Sequence, residues 1–179
     1  MIAADVFLEA STRHGFGLYT GVPCSYLKPF INSVIDSDQL RYVGAANEGD
    51  VVAIGAGAEL AGKRSVVMFQ NSGLGNTVNP LTSLTCPFKI PVLLIPTLRG
   101  EPGGAPDEPQ HELMGAITTD MLDLMQIPKI ANNFRLRKAL QRITPVMNVS
   151  ALGTDGDFLV VSLRATPSGL PRALSAARN

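Results

Sequence analysis

The chain has 179 residues, 45% of them hydrophobic and 17% charged, and its 15 Lys and Arg balance 15 Asp and Glu. That length fits one domain at roughly 100–200 residues each, and so apolar a composition excludes a disordered chain. Charge neutrality excludes both the clustered basic footprint of a nucleic-acid surface and a polybasic membrane patch, so neither nucleic acid nor membrane is expected as a partner.

The low charge also predicts that part of the apolar excess lies in a subunit interface. Cys24 and Cys86 lack the CxxC spacing of a zinc site and form no disulfide framework. Residues 1–15 carry Asp5 and Glu9 and have no signal-peptide core. No apolar run approaches the about 18 residues of a membrane span, so the expected location is cytoplasmic. On that reading the sequon at Asn148 is a coincidence.

Residues 2–14 place Ala3, Val6, Phe7 and Ala10 on one helical stripe, which Gly15 stops. A strand over 17–22 follows. Ser25 is the expected N-cap of a helix that turns Leu27, Phe30, Ile31, Val34 and Ile35 inward. Residues 40–45 form the second strand, and 49–61 form a helix apolar almost all round, with Gly62 as its C′ residue. A buried strand over 65–70 precedes a helix at 77–86 and a strand at 90–98. Residues 100–112 are a loop with three Gly, three Pro and four acidic residues. Helices at about 113–125 and 134–143 and a strand over 158–163 complete the pattern. The tail from 166 to 179 is expected to be flexible.

Helices alternate with strands that read as continuous apolar runs. This predicts an α/β fold, a doubly wound and mainly parallel sheet with helices on both faces. Ligands of such sheets bind outside the carboxyl ends of the strands. Four of those ends fall at 22–25, 45–48, 70–75 and 98–100, the least regular segments of the chain, and they are expected to gather at one edge.

Two phosphate motifs fail on context. Gly57-x4-Gly62-Lys63 imitates a P-loop, but Arg64 stands in place of Ser or Thr and the segment ends a helix. Gly73-Leu74-Gly75 opens like a dinucleotide fingerprint, but Val78 stands where the third glycine belongs. Glu48 opens a nearly uncharged helix and has two readings. It is either an acid favoured by the helix dipole, worth under about 1 kcal/mol, or a carboxyl desolvated by small neighbours, with a raised pKa, that shares a proton with a ligand nitrogen. The polar segment from Gln70 to Asn76 holds more donors than a turn needs, which suits binding. His111 lies in a long loop of the kind that is more often functional. His14 reads as a helix C-terminal cation and nothing more.

In chain order, four segments carry a likeness. They are Gly21-Val22-Pro23-Cys24-Ser25; Asn47-Glu48-Gly49 with Ala53-Ile54-Gly55-Ala56-Gly57; Gln70-Asn71-Ser72-Gly73-Leu74-Gly75-Asn76; and Glu108-Pro109-Gln110-His111-Glu112-Leu113-Met114-Gly115. Together they resemble the pyrimidine-binding domain of thiamine diphosphate-dependent 2-oxo acid decarboxylases, over residues 1–165. Within that family the likeness is nearest to the phosphonopyruvate decarboxylases, with the α subunits of sulfopyruvate decarboxylases next.

The resemblance implies that Glu48 hydrogen-bonds N1′ of the aminopyrimidine and favours the imino tautomer that takes the C2 proton. It implies that Asn71, Ser72 and Gly73 lie against the pyrimidine, and that Ser25, Gln110 and His111 face the reacting centre. It selects the proton-sharing reading of Glu48. His111 is then a proton donor after CO2 release, and the 100–112 loop, too rich in Gly and Pro to be held by its own hydrogen bonds, is expected to close over the cofactor. Arg99, at a strand end, is the candidate for the substrate's distal anion, because a guanidinium fork suits a phosphonate.

The family also holds Mg²⁺ and the diphosphate through a GDG motif, which is not present here. Gly153-Thr154-Asp155-Gly156 is no substitute. The expectation is that a GDG-bearing β subunit supplies that half, in a hetero-oligomer acting on a small anionic 2-oxo acid. Two alternatives stay open: the corresponding sulfopyruvate subunit, and a non-catalytic scaffold module of the same fold.

Overall fold

The computed structural model describes residues 4–104, 106–127, 129–130 and 160–162. Strands β1 (Phe16–Gly21), β2 (Arg41–Gly44), β3 (Arg64–Phe69) and β4 (Leu93–Pro96) alternate with helices α1 (Ala4–Arg13), α2 (Lys28–Ile35), α3 (Glu48–Leu60) and α4 (Leu74–Pro80). Helix α5 (Glu112–Leu124), β5 (Lys129–Ile130) and β6 (Val160–Ser162) follow. The six strands form one sheet in the order β2-β1-β3-β4-β6-β5. Strands β1 to β4 are parallel, β6 is antiparallel to β4, and β5 is antiparallel to β6. The expected doubly wound, mainly parallel sheet is the one observed.

The alternation of side chains along β3 divides the core. Val66 and Met68 join Phe16, Tyr19, Leu93 and Ile95 under α1 and α2. Val67 and Phe69 join Leu94, Val51, Val52, Leu74 and Leu122 under α3, α4 and α5. Each such large side chain contributes about 1.5–3 kcal/mol when fully buried. On the first face the buried Tyr19 hydroxyl shares a hydrogen bond with Ser11, and burial pushes its phenol up to about 12, so it stays neutral.

Thr20, between Tyr19 and Gly21 on β1, pairs with Val43 and Val67 and is fully buried. Its hydroxyl has no hydrogen-bond partner among the described residues. Removing an unpaired buried hydroxyl while keeping the shape is favourable. Thr20→Val should therefore stabilise the protein by about 1–2 kcal/mol, read as a higher urea midpoint at unchanged slope. A lower midpoint would show that the hydroxyl has a partner.

Several boundaries differ from expectation. Ser25 is not an N-cap: the chain after Pro23 tightens into a 3₁₀ turn over Ser25–Leu27, with Leu27 N–H donating to Cys24 O at 3.0 Å, and α2 begins at Lys28 with Pro29 in its first turn. The helix expected at 77–86 begins much earlier. Asn71–Gly73 is already a 3₁₀ turn running into α4, and a π turn over Leu81–Thr85 follows Pro80. Strand β4 is shorter than the 90–98 run. The C′ role of Gly62 holds, with φ +76° and bonds from Gly62 N to Glu59 O and Lys63 N to Ala58 O. The expected 134–143 helix, the 153–156 segment and the tail lie outside the described residues. Among the described residues no helix is long and apolar enough to cross a membrane.

Candidate active site

In the order β2-β1-β3-β4, the chain reverses its direction of winding between β1 and β3, so the switch point lies between their carboxyl ends. Two groups of side chains gather there and beside it.

Glu48 is the first. Asn47 caps α3 by accepting the Gly49 N–H at 2.7 Å, which places Glu48 as the first helical residue. Its side chain crosses to the start of α4, where Oε2 accepts from Asn76 Nδ2 at 2.8 Å; Oε1 has no hydrogen-bond partner among the described residues. The carboxyl lies directly over Gly73: a Cβ there would fall 2.1 Å from Glu48 Cδ. Gly73 has helical φ and ψ, so it is required for space and not for backbone freedom.

Gly73→Ala should keep the fold, because the colliding atoms end a flexible side chain, but it should push the carboxyl aside. A displacement near 1 Å at a reacting group costs about 10² in rate. The expected result is that loss in turnover with a stability change under about 1 kcal/mol; unchanged turnover would show that the position of Glu48 is unimportant.

Asn71 joins the two groups and is fully buried. Its Nδ2 donates to Arg99 O (2.9 Å) and Thr118 Oγ1 (3.1 Å), and its Oδ1 accepts from Arg99 N (3.2 Å) and Thr97 Oγ1 (3.4 Å). Both N–H groups and the oxygen are thus engaged within the chain. Asn71 ties the end of β3 to the end of β4 and to α5.

The second group surrounds Arg99. Its Nε and Nη2 grip Asp107 at 3.0 and 2.5 Å, and Nη1 donates to Gln70 Oε1 at 3.3 Å. Gln70 Oε1 also accepts from Cys24 Sγ at 3.5 Å, and Gln70 Nε2 donates to Ser72 Oγ at 2.7 Å. The guanidinium lies over the Tyr26 ring, 4.8 Å from its centroid. The hydrogen bonds from Arg99 hold the Asp107 carboxyl down at about 2, so this pair is charged throughout the neutral range.

The 100–112 segment is therefore tied by its own bonds, against expectation. The Arg99–Asp107 pair closes its neck, and Gly104 N donates to Glu101 O. Gly100 turns with φ +71° and meets the His111 carbonyl, while Gly115 meets the Gly100 carbonyl, so the neck and α5 touch backbone to backbone. His111 ends the 3₁₀ turn Pro109–His111 and is buried, 6% exposed, with no partner for Nδ1 among the described residues. Gln110 on the same turn, Ser25 and Ser72 are exposed. The structure thus brings Glu48 to Gly73 and links Ser72 to Arg99 through Gln70. Gln70 and Asn76 lie in the polar segment whose composition suits binding. Asn47, Tyr26 and Asp107 contribute without being expected, and of these only Asn47, a cap residue before a helix, carries a local signal in the sequence.

The fold, the acid at the start of α3 and the polar turn after β3 define a cofactor-binding domain. Residues 1–120 match the family model described as thiamine pyrophosphate enzyme, N-terminal TPP binding domain; the chain belongs to this family. Two phosphonopyruvate decarboxylases are similar, one from Streptomyces viridochromogenes (51% identical over 124 residues) and one from Streptomyces hygroscopicus (48% over 124 residues). Each match takes in 69% of this chain but only 31% of the relative, so the chain spans about a third of their length. The sulfopyruvate decarboxylase subunit alpha of Methanococcus maripaludis is 31% identical over 129 residues, 72% of this chain and 75% of that protein.

Proposed function

We propose that this chain provides the aminopyrimidine side of a thiamine diphosphate-dependent decarboxylase that converts phosphonopyruvate to phosphonoacetaldehyde and CO2. The observation that carries the reading is the Glu48 carboxyl, braced by Asn76 over a glycine, with Oε1 left to a ligand nitrogen. Identity near 50% to phosphonopyruvate decarboxylases supports the substrate.

The residues fit the cofactor's aminopyrimidine. A carboxyl with one oxygen uncommitted among the described residues suits N1′, Gly73 has no side chain to push that carboxyl aside, and a buried imidazole nitrogen without a partner among the described residues suits a polar ligand atom. When bound, thiamine diphosphate supplies the electron sink that lets CO2 depart. Glu48 holds and releases the proton at N1′. Gly73 and the exposed Ser72 line the pyrimidine, with Asn71 anchoring their turn from beneath. Ser25 and Gln110 face the substrate carboxylate, His111 delivers the proton that replaces CO2, and Arg99 takes the distal phosphonate.

Mg²⁺ and the diphosphate are assigned to a second, GDG-bearing polypeptide in a cytoplasmic hetero-oligomer. Coverage of most of a protein named subunit alpha supports that division, as do the exposed Leu60, Phe88, Leu113 and Leu124, which suit an interface. The same coverage favours a second reading, the corresponding subunit for sulfopyruvate. Mixing the chain with a GDG-bearing partner, thiamine diphosphate and Mg²⁺ and measuring CO2 from both substrates decides between them. The expected result is faster release from phosphonopyruvate and none from the chain alone. Preference for sulfopyruvate would establish the second reading, and release by the chain alone would refute the division.

A further inference from the structure

Arg99 already holds an anion of its own chain. Asp107 occupies the Nε–Nη2 edge of the guanidinium in a bidentate grip, and the two side chains are only 16% and 10% exposed. Gln70 takes a third N–H, and the Tyr26 ring covers one face. Asp107 Oδ1 also accepts the Glu108 N–H at 2.8 Å, which fixes the carboxylate to its own backbone.

A second anion reaching this cation must either replace that carboxylate or sit beside its charge. Replacement by another carboxylate or a sulfonate gains no more Coulomb attraction than Asp107 gives already, and association costs translational freedom. A doubly charged phosphonate differs from a sulfonate of the same shape by its second charge, which nearly doubles the attraction to the same fork.

Taking Arg99 as the cation for the substrate's distal anion, as in the reading above, we propose that Asp107 is a specificity-determining residue. Its carboxylate competes for the Arg99 fork, so that a dianionic phosphonate displaces it and a monoanionic sulfonate or carboxylate does not.

The test uses the full chain without cofactor, titrated calorimetrically with methylphosphonate and with methanesulfonate at alkaline pH, where the phosphonate carries its second charge. The wild type should bind methylphosphonate at least about tenfold tighter than methanesulfonate. Asp107→Asn should bind both more tightly, the sulfonate by the larger factor, so that the ratio collapses. Unchanged or weaker binding in Asp107→Asn, or an unchanged ratio, overturns the proposal. Should that variant fail to fold, the wild type still decides. Its Arg99 Nε–H resonance should shift with methylphosphonate and stay still with methanesulfonate, and equal shifts with both overturn the proposal. Binding of neither probe removes Arg99 from the substrate site and the proposal with it, whereas binding indifferent to Asp107 overturns the proposal alone.

Discussion

Glu48→Gln should lower turnover by about 10²–10⁴, the usual cost of losing one acid–base group, while leaving the fold intact. The amide keeps an oxygen to accept from Asn76, so the side chain stays braced over Gly73 in the same place. What it loses is the capacity to exchange a proton with a ligand nitrogen. Steady-state rates in the reconstituted pair, with melting curves of each variant, check this. Loss of activity with an unchanged melting temperature is the expected pair of results. A fall in both would mean that Glu48 acts through stability.

Asn71→Ala should be the most destabilising single change near the site. It removes four hydrogen bonds from a fully buried side chain and leaves the Arg99 N–H and C=O without that partner. Each unsatisfied buried group costs about 1–3 kcal/mol, and members of a shared network fall together. A loss of about 3 kcal/mol or more in urea unfolding is expected. A loss below about 1 kcal/mol would mean that water or a neighbour fills the space and that the end of β4 is held by other contacts.

The elements that could be read from sequence are those with a repeating pattern. The apolar runs of β1, β3 and β4 and the largely apolar α3 each state their burial over several residues, and the alternation of strands with helices implies the parallel sheet. Strand β5, with two residues, is too short to show a period. Local chemistry misled where tertiary context overrode it. Gly73 and Gly75 open like a dinucleotide fingerprint, yet Gly73 has helical φ and ψ and is there to admit the Glu48 side chain. Ser25 has the chemistry of a cap, but the 3₁₀ turn ahead of α2 takes it out of that position.

Within the site, Glu48 and His111 stand out because ionisable groups in an apolar or glycine-rich setting are rare. The pairings that support the site do not stand out. Asn76 braces Glu48 from 28 positions away, and Asp107 reaches Arg99 across the loop neck. Such pairings leave no periodic trace and become visible only when the strand ends are brought to one edge.

The central claim is that Glu48 carries the proton-sharing role for a bound aminopyrimidine. The most direct measurement is the exchange of the cofactor's C2 hydrogen for deuterium, followed by quenched-flow NMR in complexes assembled with wild-type chain and with Glu48→Gln. The account predicts rapid exchange in the wild-type complex and a rate lower by at least about 10² in the variant, with cofactor bound in both. Equal exchange rates in the two complexes would contradict it.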